Sequence, residues 1–186
     1  CRRFSFIFNT TTLWVNNIVS ESDTGDQIII VRFENAAKGI WRFRTYSIDE
    51  EPTLFHVWLP SGDIIFHDTH FIDSNPDTTL TSPGNAESPL VVTNLNETSG
   101  SISLSSSRGY TRYHVIKPDL AAPGSSILAP LPGNSYGPLS GTGASAAHSA
   151  GVIAMILEWA VVQGNYSSIT GSDINRLLIR GAYRTK

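Results

Sequence analysis

Sulfur-containing residues are scarce in this chain, whose 186 residues include one cysteine and one methionine. Cys1 has no second cysteine in the chain with which to pair, so folding cannot depend on an internal disulfide. Stability must come from buried apolar surface instead. This composition fits an intracellular or bacterial origin.

Long apolar runs are also missing. The longest, residues 150–162, is interrupted by Gly151 and Glu158 and falls short of the ~20 residues that a bilayer requires. We therefore expect no membrane-spanning segment and no membrane partner. The first residues contain no signal-peptide core, and we interpret Cys1 as a cut end and not as a natural beginning.

Excess positive charge is the third absence. The chain has 13 lysines and arginines against 16 aspartates and glutamates, which gives a net charge of −3 and an isoelectric point near 5.9. The sequence has no basic patch of the kind that follows a phosphate backbone. Nucleic acid is therefore not an expected partner.

The first part of the chain has the short apolar alternation that is typical of β-strands. Residues 28–33 are rich in β-branched and aromatic side chains, and residues 41–44 alternate apolar with basic ones after a turn, which predicts a hairpin. Further apolar runs at 54–59 and 64–66 are separated by proline and glycine. Strands at this spacing predict an antiparallel sandwich.

The second part of the chain has loops rich in serine, glycine and proline, followed by two helices. The first helix is predicted from Thr142 or Gly143 to about Val162. Small residues form one face of it: Gly143, Ala147, Ala150, Gly151 and Ala154. Because such a face lets a neighbouring backbone approach closely, we expect this helix to be central and buried.

The second helix is predicted to begin at Thr170, where Asp173 completes a capping box, and to end before Gly181. Its apolar residues give it one inward side: Ile174, Leu177, Leu178 and Ile179.

Three motifs near the end of the chain carry a family resemblance. They are Lys-Pro-Asp-Leu-Ala-Ala-Pro-Gly at 117–124, Leu-Pro-Gly-Asn-Ser-Tyr-Gly at 131–137 and Gly-Thr-Gly-Ala-Ser-Ala-Ala-His-Ser-Ala-Gly at 141–151. In order and spacing they closely resemble the subtilisin-like serine proteases, the subtilase family. The resemblance implies the C-terminal part of an α/β subtilisin-like domain, which is incomplete in this chain.

The third motif bears on catalysis, because subtilases keep their nucleophilic serine in a Gly-Thr-Ser motif at the start of a buried helix. The matching triplet here is Gly141-Thr142-Gly143, and His148 and Gly151 follow in register. The resemblance makes Gly143 the nucleophile position and Gly141 and Thr142 its motif neighbours. It makes His148 and Gly151 structural residues.

A nucleophile at a helix N-terminus lies among unpaired backbone N–H groups, which favour the oxyanion that forms in acyl transfer. Gly143 keeps the N–H that helps to stabilise an oxyanion but has no oxygen with which to attack. Ser145 is not an expected substitute, because two residues along a helix correspond to roughly 200° around its axis.

The catalytic aspartate and histidine of the family, and the asparagine of its oxyanion hole, all lie far upstream of the nucleophile. No segment of this chain matches their motifs. Enzymatic activity is therefore uncertain from the sequence alone.

The layout of the chain resembles one subgroup of the family. Residues 79–85, 90–93 and 105–109 are similar to the segment that follows the oxyanion-hole asparagine, and the strand-rich part precedes them. A β-domain inserted there is the layout of the clostridial spore-germination subtilases, which carry a jelly-roll insert and include members without catalytic residues. The resemblance implies a jelly-roll-like insert over 1–77 and a peptidase part over 78–186, in a bacterial spore or secreted.

Two other groups of residues could form a binding site, one for a metal ion and one for a sugar. A zinc or calcium site could be formed by Asp63, His67, Asp68, His70 and Asp73. Without a nearby cysteine or a helical histidine pair, a solvated loop is the favoured interpretation, and we expect no metal and no cofactor. Trp14, Trp41, Trp58 and the phenylalanine cluster could form a sugar-stacking face, but they lie on alternating strand positions, which favours core packing.

Three hypotheses stay open. The first is a pseudoprotease that binds a partner or signal and regulates spore germination or another protease. The second is a fragment of an active subtilase in which Gly143 is engineered or misaligned. The third is a jelly-roll binding module on a protease-derived platform. The remainder of the subtilase domain is an expected partner, and a related protease or a germinant is a further one.

Overall fold

The computed structural model describes residues 2–18, 27–46, 55–60, 65–66 and 68–184. The chain divides into two compact units, Cys1–Leu59 and Pro60–Lys186. Each unit contains strands, and both helices belong to the second. The domain boundary that the sequence places after residue 77 stays a prediction.

The first unit is built on an antiparallel sheet of three strands in the order β1-β2-β3. The strands are β1 (Arg2–Phe8), β2 (Thr11–Ile18) and β3 (Ile28–Glu34). The strand predicted at 28–33 is thus confirmed. Phe6 pairs with Leu13, which pairs in turn with Phe33, so these three side chains lie on one face of the sheet.

The prediction of a second hairpin strand at residues 41–44 is wrong, because residues 41–46 form no strand. The segment instead lies against β3 through its rings: Phe33 is 5.1 Å from Trp41 and 6.0 Å from Phe43, between ring centroids. Alternating aromatic residues suit this edge-to-face packing as well as they suit a strand ladder. Residues 55–59 also form no strand, and Leu54 and residues 61–64 lie outside the described part.

The two faces of the first sheet differ in chemistry. On the apolar face, Leu13 is buried, whereas Phe6 and Phe8 leave 49% and 51% of their surface exposed. On the opposite face, Trp14 donates from Nε1 to the carboxylate of Glu34 at 2.9 Å and lies under the guanidinium of Arg32. The described residues therefore cover the apolar face only in part.

The second unit contains a mixed sheet and a hairpin. The sheet has the order β5-β4-β6, with β4 (Val92–Asn96) antiparallel to β5 (Ser101–Ile102) and parallel to β6 (Leu120–Pro123). The hairpin joins β7 (Ile127–Leu131) to β8 (Ser135–Leu139). Helix α1 follows directly and contacts both β4 and β6.

Helix α1 (Thr142–Leu157) continues as a π-helical turn, Glu158–Val162, so its predicted bounds are confirmed. Its burial is not as expected. The side that packs on the sheet contains Ala144, Ser145 and Ser149, whereas the predicted small-residue face is exposed. The helix therefore carries a second face that the described residues do not cover.

The exposed face gives this helix an apolar surface of unusual length. The 21 residues from Thr142 to Val162 include an 18-residue window with a mean hydropathy of 1.5 and are long and apolar enough to cross a membrane, by length and composition only. A core helix that has lost part of its packing has the same composition. The expectation of no membrane partner stays a prediction.

Helix α2 (Gly171–Gly181) begins with the predicted capping box. Thr170 Oγ1 accepts from the Asp173 N–H at 3.3 Å, and the Asp173 carboxylate accepts from the Thr170 N–H at 3.0 Å. Ile174 is buried on the inner side of the helix, whereas Leu177, also predicted to face inward, is 46% exposed. The helix packs through fewer apolar side chains than the sequence suggests.

Residues 1–186 expressed alone should self-associate, because the small-residue face of α1 and the apolar face of the first sheet are uncovered. Size-exclusion chromatography with light scattering should show oligomers or aggregates. A longer chain that supplies the missing packing is the control and should be monodisperse. A cooperatively melting monomer of residues 1–186 would contradict the expectation.

The capping box of α2 should make stability depend on pH in the acid range. The hydrogen bonds from the Thr170 side chain and backbone lower the pKa of Asp173 below its usual 3.8. Because the pKa is lower in the folded state, this stabilisation is present above pH 3.8 and is lost as the pH falls through the folded value.

The variant Thr170→Ala tests this, since loss of an N-cap side chain costs about 1 kcal/mol. The full-length variant should be less stable at neutral pH by urea denaturation, and the difference should shrink in acid. Ser172→Ala, next to the cap but outside it, is the matched control and should change little. A difference that does not change with pH would show that the Asp173 carboxylate does not contribute.

Candidate functional site

The candidate site lies at the start of α1, where the chain leaves the hairpin. The N-cap residue is Gly141, whose φ of +152° is a conformation that favours glycine. Its N–H donates to the Gly124 carbonyl at 2.8 Å, and its own carbonyl accepts from the Ala144 N–H at 3.1 Å. No side chain caps the helix, so the N–H groups of Thr142 and Gly143 are left without a capping partner in the described part of the chain.

Gly143 lies in the first turn of α1 and is exposed. A Cβ built on this residue meets no atom of the described chain within 4 Å. The position therefore has room for a side chain and carries none. The geometry retains backbone donors at the positive end of a helix but offers no attacking oxygen at this place.

Ser145 does not replace the missing hydroxyl. Its side chain is fully buried, and its Oγ has no hydrogen-bond partner among the described residues. The Ser145 Oγ lies next to Gly124 on the inner side of the helix. The carboxamide oxygen of Asn94 lies next to Gly124 as well. This placement agrees with the expectation that Ser145 points away from the direction of residue 143.

His148 and Gly151 follow on the same helix. His148 Nδ1 donates to the Pro123 carbonyl at 3.1 Å, which ties the second turn of α1 to the end of β6. Gly151 is exposed, and no described atom lies within 4 Å of a Cβ added there. The structural roles predicted for His148 and Gly151 both stay predictions.

A polar network beneath the helix start fixes its position, and sequence reasoning missed most of it. The Gly124 N–H donates to the Leu95 carbonyl at 3.1 Å, next to the bond that its carbonyl accepts from α1. The buried side chain of Asn94 accepts from the Ser125 hydroxyl at 3.1 Å, and the Asn94 N–H donates to Ser106 Oγ at 3.1 Å. Gly124 could be identified from the Pro-Gly pair that ends the motif at 117–124, but no motif around Asn94 indicated its role.

A cleft of about 180 Å³ opens beside Thr142. Its lining comes from the 80–84 loop, β4 and the loop before β6, and none of the lining side chains is titratable. Thr93 is one of the lining residues, and its Oγ1 is buried and without a hydrogen-bond partner among the described residues. The cleft suits a small uncharged group that can bond to a hydroxyl.

The other candidate residues are only partly described. Asp63 and His67 lie outside the described residues, and within the described part no three His, Cys, Asp or Glu side chains are grouped to hold a metal ion. His70 Nδ1 donates to the Asp68 carbonyl at 2.8 Å. The cluster therefore shows a local turn contact and no assembled ligand set among the residues described.

The three tryptophans do not share one environment. Trp41 packs edge-on against Phe8 and Phe33, as expected for a core aromatic residue. Trp14 and Trp58 are 37% and 49% exposed, so the expectation of core packing is wrong for these two. Trp14 lies on the polar face of a sheet that is not a closed sandwich within the described residues.

The sequence model of the subtilase family matches residues 61–186 of this chain, which is more than half of its length. The chain belongs to the subtilase family. It is 36% identical over 115 residues to the C5a peptidase of Streptococcus pyogenes serotype M18, which covers 62% of this chain and 9% of that protein. It is 38% identical over 77 residues to subtilisin-like protease 10 of Arthroderma otae, covering 41% of this chain and 18% of that protein.

Among solved structures, this subtilase chain resembles the CspB protease of Clostridium perfringens. The TM-score is 0.72 with 22% identity, and the match covers all of this chain and 40% of that one. The likeness shows a shared fold, including the strand-rich first unit. The chain spans less than a fifth of the curated relatives named above, so it represents one segment of the subtilase domain with mixed helix and sheet.

The close approach at Gly124 predicts a large effect for a small substitution. A Cβ there would collide with Ser145 Oγ and lie 2.6 Å from Asn94 Oδ1 and 2.8 Å from the Gly141 carbonyl. Gly124→Ala should destabilise the full-length subtilase by about 1–3 kcal/mol in thermal or urea denaturation. Gly171→Ala, where a Cβ meets nothing within 4 Å, is the control. Equal stability of the two variants would contradict this geometry.

Proposed function

We propose that this chain is part of a catalytically inactive subtilase, a pseudoprotease that binds instead of cutting. The observation that carries the proposal is Gly143 at the nucleophile position, with open space in place of a side chain. In subtilisin, removal of the nucleophilic serine lowers kcat by about 2 × 10⁶-fold, so hydrolysis is not the activity that this position supports.

Nearby hydroxyl groups do not supply an alternative nucleophile. Ser145 is fully buried. Ser140 Oγ, before the helix, accepts from the Ser126 N–H at 2.8 Å and stabilises a turn. A nucleophile needs a general base within hydrogen-bond reach, and neither hydroxyl bonds to a histidine or carboxylate of the described chain.

The role that we propose is regulation of spore germination or of a related protease. Two observations support it: the fold likeness to the CspB protease, and the strand-rich unit that precedes the family match. We propose that this unit is part of a jelly-roll insert. Its sheet has one apolar face that is partly uncovered, as expected for half of a sandwich whose second sheet lies elsewhere in the protein.

The second candidate function is an active peptidase in which the glycine is not the native residue or the register differs. The curated relatives favour it, since two of them are named as a C5a peptidase and a subtilisin-like protease. The open space at Gly143 would accept a serine side chain without rearrangement. This candidate predicts acylation, whereas the pseudoprotease predicts none.

Labelling of the full-length protein with a serine-directed fluorophosphonate separates the two candidates. We expect no labelling and no peptide hydrolysis, because the backbone donors remain but the attacking oxygen is absent. Active subtilisin treated in parallel is the positive control. Labelling of the unmodified protein, mapped by mass spectrometry to Ser145 or another serine, would refute the pseudoprotease.

Substitution of the glycine itself gives a sharper comparison. Gly143→Ser and Gly143→Ala both fit the open space, and only the serine adds a hydroxyl. If the upstream aspartate and histidine are present, Gly143→Ser should recover labelling, since the base is already oriented. If they have been lost as well, Gly143→Ser stays silent. Labelling of Gly143→Ala would show that the reacting group lies elsewhere.

A further inference from the structure

A second cleft lies away from the start of α1, between helix α2 and the loop before β4. Its volume is about 430 Å³. It is lined by Glu87, Ser88, Lys117, Asp119, Ser172, Asn175, Arg176, Ile179 and Arg180. Asn175 Nδ2 donates to the Ser88 carbonyl at 3.2 Å, which holds the helix against the loop. We call this the arginine cleft.

One side of the arginine cleft is a buried ion pair. Lys117 Nζ lies 2.8 Å from Asp119 Oδ2, and the two side chains are 5% and 13% exposed. The ammonium also donates to the Pro89 carbonyl at 2.9 Å, and the carboxylate accepts from the Val91 N–H at 2.7 Å. Because these groups satisfy one another, the pair forms a rigid wall with no net charge.

The other side is different, because it carries two exposed arginines. Arg176 and Arg180 are four residues apart on α2, so their side chains leave the same face of the helix. Within the described residues neither guanidinium has a hydrogen bond or ion pair. Asp173, one turn before Arg176, forms hydrogen bonds with Thr170, and its carboxylate interacts with the charge of Arg176 without a direct hydrogen bond.

The charges lining the cleft do not balance. Lys117, Arg176 and Arg180 contribute three positive charges, against two negative charges from Glu87 and Asp119, in a chain of net charge −3. Guanidinium groups present planar pairs of donors that match carboxylate and phosphate oxygens. The serine hydroxyls and the amide oxygen of Asn175 add neutral hydrogen-bonding groups around them.

We propose that the arginine cleft binds a small ligand through an oxyanion group, a carboxylate or a phosphate, held between Arg176 and Arg180. The volume suits a ligand of a few to about twenty non-hydrogen atoms, within the ordinary range of small-molecule sites. The site shares no residue with the helix start at Gly143. The test of this binding site is therefore independent of the pseudoprotease proposal.

Calorimetric titration of the full-length protein with inorganic phosphate and with succinate, at constant ionic strength, tests the site. Saturable binding of one probe assigns the oxyanion class, and saturable binding of both supports a site for either class. Arg176→Gln and Arg180→Gln should each weaken binding by about tenfold or more, since each removes charged hydrogen bonds. Arg108→Gln, an exposed arginine outside the cleft, is the control and should bind as the parent does.

A gain of affinity provides an independent check. Glu87→Gln removes one negative charge from the lining of the cleft, so binding of an anion should tighten. Arg176→Lys, which keeps the charge but loses the planar pair of donors, should bind more weakly than the parent protein and serves if a glutamine variant fails to fold. Saturable binding of neither probe, or binding that both arginine variants leave unchanged, would overturn the proposal.

Discussion

The second unit of this subtilase segment depends on one backbone contact, the hydrogen bond from the Gly141 N–H to the Gly124 carbonyl. It joins the end of the strand region to the start of α1 at a separation that leaves no room for a Cβ on Gly124. The buried Asn94 side chain fills the same space from β4. Because the helix start is fixed in this way, the first-turn N–H groups point to a defined place whatever side chain residue 143 carries.

The same helix explains why so much apolar surface is exposed. Its inner side packs on β4 and β6 through Ala144 and Ser149, and its small-residue side is uncovered. We propose that the rest of the subtilase domain covers that second side. The first sheet has the same property, since its phenylalanines are half exposed. Two incomplete interfaces in one segment indicate a piece of a larger fold whose stability resides partly outside it.

Features that depend on residues close together in the sequence could be predicted, whereas features that depend on contacts between distant segments could not. The capping box at Thr170 and Asp173 needs only residues three apart, so it was predictable. The start of α1 was predictable from its motif. Residues 41–44 were misassigned because alternating aromatic side chains fit both a strand and the ring packing against Phe33. Asn94 was missed because its role arises only when β4 and β6 pair in parallel, which no local pattern shows.

Gly143 changes what the helix start can do more than it changes its structure. Acyl transfer needs an attacking oxygen, an oriented base and oxyanion donors, and these act as a unit. Without that oxygen, a base and its orienting carboxylate have no hydroxyl proton to accept at this position. The donors and the neighbouring uncharged cleft at Thr142 serve binding equally well. A subtilase chain with glycine at this position therefore keeps backbone donors at the helix start and has no side-chain oxygen there with which to attack.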